Sequence, residues 1–142
     1  MELPFSREIN SEAETITVAE ELAKILKNGE IVTLKGNLGA GKTFFTKHLC
    51  KNFNINNVSS PSFAIVNEYL GERKVYHFDF YRLEKIEELY DIGFDEYLAD
   101  KTANVIIEWA DLMPEIIPRE IIEIEISEVN EKIRKIEIKR HE

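Results

Sequence analysis

Apolar and polar positions change their period several times along the chain, and each change marks an element. Val18, Ala19, Leu22, Ala23, Ile25 and Leu26 recur at helical spacing. Ser11 precedes them and Glu14 follows three residues later, a capping box in which hydroxyl and carboxylate satisfy the first free amides. Asn28-Gly29 supplies the stop. Residues 30–35 (EIVTLK) form a short β-branched strand, and a second helix runs from residue 43 to about 53.

Ser59-Ser60-Pro61-Ser62 reads as a loop, because proline lacks an N–H and disfavours helical geometry in the residue before it. Residues 63–70 and 74–80 read as strands joined by Gly71-Glu72-Arg73, a connection of hairpin length. An acidic helix is predicted over 83–90, with Gly93 as its stop and a second helical piece over 94–99. Residues 104–109 (NVIIEW), nearly all apolar until their end, read as a buried strand. Pro114 and Pro118 bracket a connector. Residues 121–126 and 133–138 alternate around a polar turn at 128–131, with Ile122, Ile124 and Ile126 on one face and Ile136 and Ile138 on another. Helices alternating with strands, plus two hairpins, predict a three-layer α/β fold with a mixed central sheet.

With no internal repeat, low-complexity tract or linker, the 142 residues read as one domain. No apolar run approaches the roughly 20 residues that span a bilayer. The first ten residues show no basic start followed by an apolar stretch, so no secretory signal is expected. Cys50 has no partner for an internal disulfide, which fits a reducing cytoplasm, and it reads as a buried apolar filler. Net charge is −9. Gripping nucleic acid by its phosphates calls for a basic face, so strong direct binding to RNA or DNA is not expected. A small polyanion remains possible wherever one local site supplies backbone N–H groups and a cation.

That site is Gly36-Asn37-Leu38-Gly39-Ala40-Gly41-Lys42-Thr43, which fits GxxxxGK[ST] at every fixed position and stands between a strand and a helix. Glycines let the chain curl so that successive amides face a phosphate, and the helix adds its positive end. Lys42 brings a cation to the β- and γ-phosphates of ATP, and the Thr43 hydroxyl is a ligand for Mg²⁺. Such a loop needs a carboxylate at the end of a neighbouring strand. Glu108, after Val105-Ile106-Ile107, and Asp79, within Val75-Tyr76-His77-Phe78-Asp79, are the candidates. His77 reads as a structural histidine ahead of a catalytic base. Trp109 reads as a packing residue or an interface anchor, and the acids Glu84, Glu87, Glu88 and Asp91 as a solvated helix face.

GNLGAGKT, VSSPSFAIVNEY, VYHFDFYRL and VIIEWADLMP together resemble, in order and spacing, the small bacterial ATPase of tRNA threonylcarbamoyladenosine biosynthesis, the TsaE or YjeE family. The likeness runs from about residue 11 to the end. It implies a P-loop α/β fold, weak ATP hydrolysis, and a role in the threonylcarbamoyl modification of the adenosine beside the anticodon. The implied partners are the transferase subunit TsaD and its companion TsaB. By position, Thr43 and Glu108 are implied as Mg²⁺ ligands, Lys42 as the phosphate clamp, and Asp79 as the polar group near the attacking water or the metal shell. The implied nucleotide-binding set is Asn37, Leu38, Gly39, Ala40, Gly41, Lys42, Thr43 and Phe44, with Ser11, Thr15 and Arg134 toward the adenosine. Ser60, Pro61 and Ser62 are implied as a switch loop. Ser62 stands where threonine is usual, Asn37 where an acid is commoner, and Ala110 where proline is commoner; none of these removes a proposed catalytic group.

Two other readings stay open. A small-molecule kinase would carry lid arginines and an acceptor pocket, and a non-catalytic nucleotide sensor would differ only in turnover. A GTPase lacks support, since no Asn-Lys-x-Asp guanine reader is present. With no arginine finger in an obvious position, hydrolysis is expected to be slow without partners.

Overall fold

A computed structural model describes residues 1–37, 39–59 and 64–142. Its centre is a seven-stranded mixed sheet in the order β1-β7-β6-β2-β5-β4-β3. The strands are β1 (Phe5–Ile9), β2 (Ile31–Lys35), β3 (Val66–Leu70), β4 (Lys74–Asp79), β5 (Ala103–Glu108), β6 (Ile121–Glu128) and β7 (Arg134–His141). Strands β6, β2, β5 and β4 are mutually parallel, and β1, β7 and β3 extend the two flanks antiparallel. The predicted α/β class with a mixed sheet is what the chain adopts.

Helices α1 (Glu12–Ile25) and α2 (Lys42–Lys51) cover one face. Ser11 Oγ accepts from the Glu14 amide at 3.3 Å, and the Glu14 carboxylate accepts from the Asn10 amide at 2.9 Å. The capping box therefore closes one residue further back than the usual pattern, at a value of about 1 kcal/mol. Val18, Leu22 and Leu49 meet Val32, Leu34 and Ile106 in this core, each fully buried. Burying one such side chain stabilises by roughly 1.5–3 kcal/mol. The two isoleucine rows of the closing hairpin share this face: Ile124 pairs with Ile138 and Ile126 with Ile136.

The second face is covered by helices beside β4 and β5 and, toward Ile31 and Ile121, by the connector carrying Ile116 and Ile117. The helices α3 (Glu87–Asp91) and α4 (Phe94–Ala99) pack on the sheet through edge-to-face rings. Phe78 meets Phe94 at 5.0 Å and Tyr97 at 5.3 Å between centroids. Where β2 ends beside β6 this face carries charged residues, among them Lys35 of β2 and Glu125 of β6, 3.8 Å apart. The third layer is thus partial.

Several boundaries differ from the sequence reading. The acidic helix starts at Glu87 and not at residue 83, because the Glu88 carboxylate accepts from the Glu84 and Lys85 amides and holds them as a turn. β4 ends at Asp79, whose carboxylate accepts from the Tyr81 amide at 2.9 Å and starts a turn at Phe80. β5 ends at Glu108, since Trp109 adopts a left-handed φ of 61°. The first strand, β1, was not expected. Among the described residues, no helix is long and apolar enough to cross a membrane.

Candidate active site

From β2 the chain runs out through α2 toward β4, whereas the connection from β5 crosses back to β6 on the other side of β2. β2 is therefore a topological switch point, where the carboxyl ends of parallel strands leave a crevice for a ligand. The glycine loop stands at that crevice. A Cβ at Gly36 would lie 2.4 Å from the Ile126 carbonyl oxygen, so only glycine lets the loop pass β6 this closely. Gly41 begins α2 with a φ of 106°, and a Cβ there would lie 2.7 Å from Arg134 Nη1. Arg134 thus reaches from β7 onto the loop.

Lys42 is buried, and its ammonium donates to the carbonyls of Gly36 at 2.6 Å and Asn37 at 3.0 Å. It also sits 4.2 Å from the centre of the Trp109 ring. Burial lowers its pKa from the usual 10.5, against the opposing pull of Glu108, Asp79 and Asp111. Thr43 Oγ1 donates to Glu108 Oε1 at 3.4 Å, bringing together two residues 65 apart in sequence. Asp79 pairs in register with Glu108 on the neighbouring strand. Burial raises its carboxyl above 3.8, opposed by the Tyr81 amide and reinforced by Glu108.

These groups line a cavity of about 380 Å³ together with Gly39, Gly41, Phe44, Tyr81, Arg82 and Trp109. An adjoining cavity of about 430 Å³ is lined by Ser11, Thr15, Phe44, Lys132 and Arg134. Phe44 is common to both, so the first turn of α2 separates a carboxylate-lined compartment from one between α1 and β7. Ala40 is buried beneath the loop, while Asn37 and Gly39 are exposed. Of the expected nucleotide set, Gly39, Gly41, Lys42, Thr43, Phe44, Ser11, Thr15 and Arg134 line these two cavities, while Asn37 and Ala40 line neither. Leu38 and the expected switch residues Ser60, Pro61 and Ser62 lie outside the described residues. A larger cavity, about 760 Å³, opens at the opposite end of the sheet, where Glu30 and Arg140 pair at 3.0 Å.

Among the described residues no three His, Cys, Asp or Glu side chains form a metal cage. Mg²⁺ is commonly held by few protein oxygens and completed by phosphates and water. Thr43 and Glu108 are hard oxygen donors of this kind.

Sequence reasoning missed three features. Arg82 lines the carboxylate compartment, so a cation stands where none was expected. Trp109 both packs on the core and walls the cavity, 5.0 Å from Tyr81. His77, fully buried, has Nε2 2.6 Å from Glu108 Oε2 and Nδ1 3.0 Å from the Tyr69 hydroxyl. The Tyr69 O–H donates to the Ser59 carbonyl at 2.9 Å, which anchors this buried line to the main chain. Period-two alternation was the available signal, since Tyr69, His77, Asp79 and Glu108 fall on one face of adjacent strands.

Residues 9–136 match the family model for threonylcarbamoyl adenosine biosynthesis protein TsaE. The chain belongs to the TsaE family. It is 40% identical over 132 residues to the tRNA threonylcarbamoyladenosine biosynthesis protein TsaE of Bacillus subtilis, covering 92% of this chain and 81% of that protein. The TsaE protein of Aquifex aeolicus is 38% identical over 144 residues, 99% of each chain. The crystal structure of Bacillus subtilis YdiB superposes with a TM-score of 0.81 at 31% identity, covering 100% of this chain and 88% of that one. The match spans β2, the glycine loop, β4 and β5, so both cavities lie within the TsaE portion.

Proposed function

We propose that this TsaE family member binds ATP with Mg²⁺ at the carboxyl ends of β2 and β5, hydrolyses it slowly, and supports threonylcarbamoyl modification of the adenosine beside the anticodon in tRNA. Its partners in this reading are the TsaD and TsaB subunits of the transferase complex, and its place is the cytoplasm. The observation that carries the nucleotide reading is the approach of Thr43 Oγ1 to Glu108 Oε1, 3.4 Å, at the mouth of a glycine loop. The tRNA role rests on family membership and on the names of the relatives.

Backbone amides of the loop at 39–43 would receive phosphate oxygens at the positive end of α2. Lys42 would leave the Gly36 and Asn37 carbonyls and turn its ammonium to the β- and γ-phosphates. Thr43 and Glu108 would hold Mg²⁺, whose charge offsets that of the triphosphate. Asp79, beside Glu108, would orient the attacking water, and Ser11, Thr15, Phe44 and Arg134 would form the adenosine side. Catalysis is then positioning and charge neutralisation. Giving up the two Lys42 hydrogen bonds would count against nucleotide affinity, and turnover without partners would be slow for want of an arginine finger.

Calorimetry of the pure chain with ATP, with and without Mg²⁺, tests binding; no heat in either condition would end the reading. Phosphate release with and without TsaD and TsaB separates an ATPase from a sensor, and a screen of acceptor alcohols separates it from a kinase. Nucleotide should also change Trp109 fluorescence, because Lys42 moves off the ring; a flat titration would show that Lys42 stays in place.

A further inference from the structure

Tyr69, His77 and Glu108 are all buried, at 3%, 0% and 3% exposure, and they lie in one line across β3, β4 and β5. A hydroxyl, an imidazole and a carboxylate placed in a core cost stability unless each is satisfied. Phenylalanine at position 69 would fill the same space without that cost, so packing alone does not account for the hydroxyl. What the hydroxyl adds is a fixed end to the line. It donates to the Ser59 carbonyl at 2.9 Å and meets His77 Nδ1 at 3.0 Å, while Nε2 of the same ring meets Glu108 Oε2 at 2.6 Å.

The two oxygens of Glu108 are therefore divided. Oε2 is occupied by the imidazole, and Oε1 is left toward Thr43 Oγ1 and the cavity. A carboxylate otherwise free to rotate about its last bond is restrained to one orientation. The partners are side chains of separate strands, so the restraint is set by sheet register: His77 lies opposite Asn67 on β3 and beside Ile106 on β5.

We propose that Tyr69 and His77 are positioning residues that fix the Glu108 carboxylate so that Oε1 faces Thr43 and the Mg²⁺ held there, with Tyr69 anchoring the imidazole to the backbone of Ser59. This rests on reading Thr43 and Glu108 as the Mg²⁺ site. Groups that orient a metal-binding carboxylate typically contribute 10–100-fold to metal affinity or activity.

The test is calorimetry of a non-hydrolysable ATP analogue with and without Mg²⁺, in the full chain, the ratio of the two affinities being the Mg²⁺ gain. Glu108→Gln is the control and should abolish most of the gain. Tyr69→Phe and His77→Gln should each lower the gain about tenfold and leave metal-free affinity unchanged, with melting curves showing folded protein. An unchanged gain in both variants, beside a lost gain in Glu108→Gln, overturns the proposal and leaves the site reading standing. Equal loss of affinity with and without Mg²⁺, or failure of both variants to fold, marks a purely structural role and overturns it too. Should the unaltered chain show no gain, or Glu108→Gln keep it, the site reading fails and the proposal with it. If only one variant folds, that one decides.

Discussion

Asn104 and Glu108 stand four residues apart on one strand, on one face of the sheet, both buried and both polar, yet they are satisfied in opposite ways. Asn104 donates to the carbonyls of Lys27 at 2.8 Å and Glu30 at 3.1 Å and accepts from Arg73 at 3.4 Å. Arg73 in turn donates to the Leu26 carbonyl at 2.6 Å and stacks 4.5 Å from the Phe53 ring. This end of β5 ties the exit of α1 to the turn between β3 and β4, mostly through main-chain acceptors. Glu108, at the other end, is met by the side chains of Thr43 and His77 and opens on a cavity. A buried polar group closed off by backbone holds elements together. One met by side chains and bordered by open space is available for chemistry.

For nucleotide binding, the largest effect is expected at the open end. Lys42→Ala removes the ammonium expected on the phosphates. Charge-assisted hydrogen bonds are worth about 1.5–3 kcal/mol each, so nucleotide affinity should fall by roughly 10–100-fold. The melting temperature should change little, since a buried cation is removed along with its two bonds. Calorimetry and a thermal melt check the pair. Unaltered affinity would take Lys42 out of the phosphate site.

The closed end should respond in reverse. Asn104→Ala strips the donors from two carbonyls and the acceptor from Arg73. Unsatisfied buried groups cost about 1–3 kcal/mol each, so denaturant unfolding should report a loss of roughly 2–4 kcal/mol. Nucleotide affinity of the folded fraction should stay as it was. A variant that kept its stability and lost nucleotide would reverse the assignment of the two ends.

How much of this was legible in the sequence follows from how local each signal is. The glycine loop, α1 with its cap, and the buried run of β5 are written in adjacent residues; α1 forms as read and β5 forms one residue earlier. Thr43, Asp79 and Glu108 could be nominated because strand ends and motif positions are countable. β1 was missed because Phe5–Ile9 places Arg7 between its two apolar residues, and only pairing with Ile136 on β7 makes it a strand. The acidic helix was begun too early because Glu88 caps the turn before it, a reach that no apolar period records. Arg73 and Asn104 looked like a turn residue and a strand start, and their contact joins positions 31 apart. The line from Ser59 through Tyr69 and His77 to Glu108 depends on register between three strands. Alternation hints at the shared face, but the distances appear only once the sheet is assembled.

The smallest effect, and the sharpest test of the open end, belongs to Asp79. Burial raises its carboxyl above the ordinary 3.8, with Glu108 adding to the rise and the Tyr81 amide opposing it. A carboxyl whose folded pKa is raised contributes stability below the unfolded value and loses it as pH climbs through the folded one. At neutral pH the ionised Asp79 is therefore a net cost, softened by the solvent that reaches this half-buried position. Asp79→Asn keeps the acceptor for the Tyr81 amide, 2.9 Å away, and discards the charge. Melting temperature at pH 7 should rise slightly, and the difference should shrink as pH falls toward 3.8. Phosphate release should drop in the same variant, because the discarded charge is the one expected to orient water. A gain in stability joined to a loss of turnover is what a group held in place for chemistry produces. A loss of stability at pH 7 would mean that Asp79, like Asn104, serves the fold.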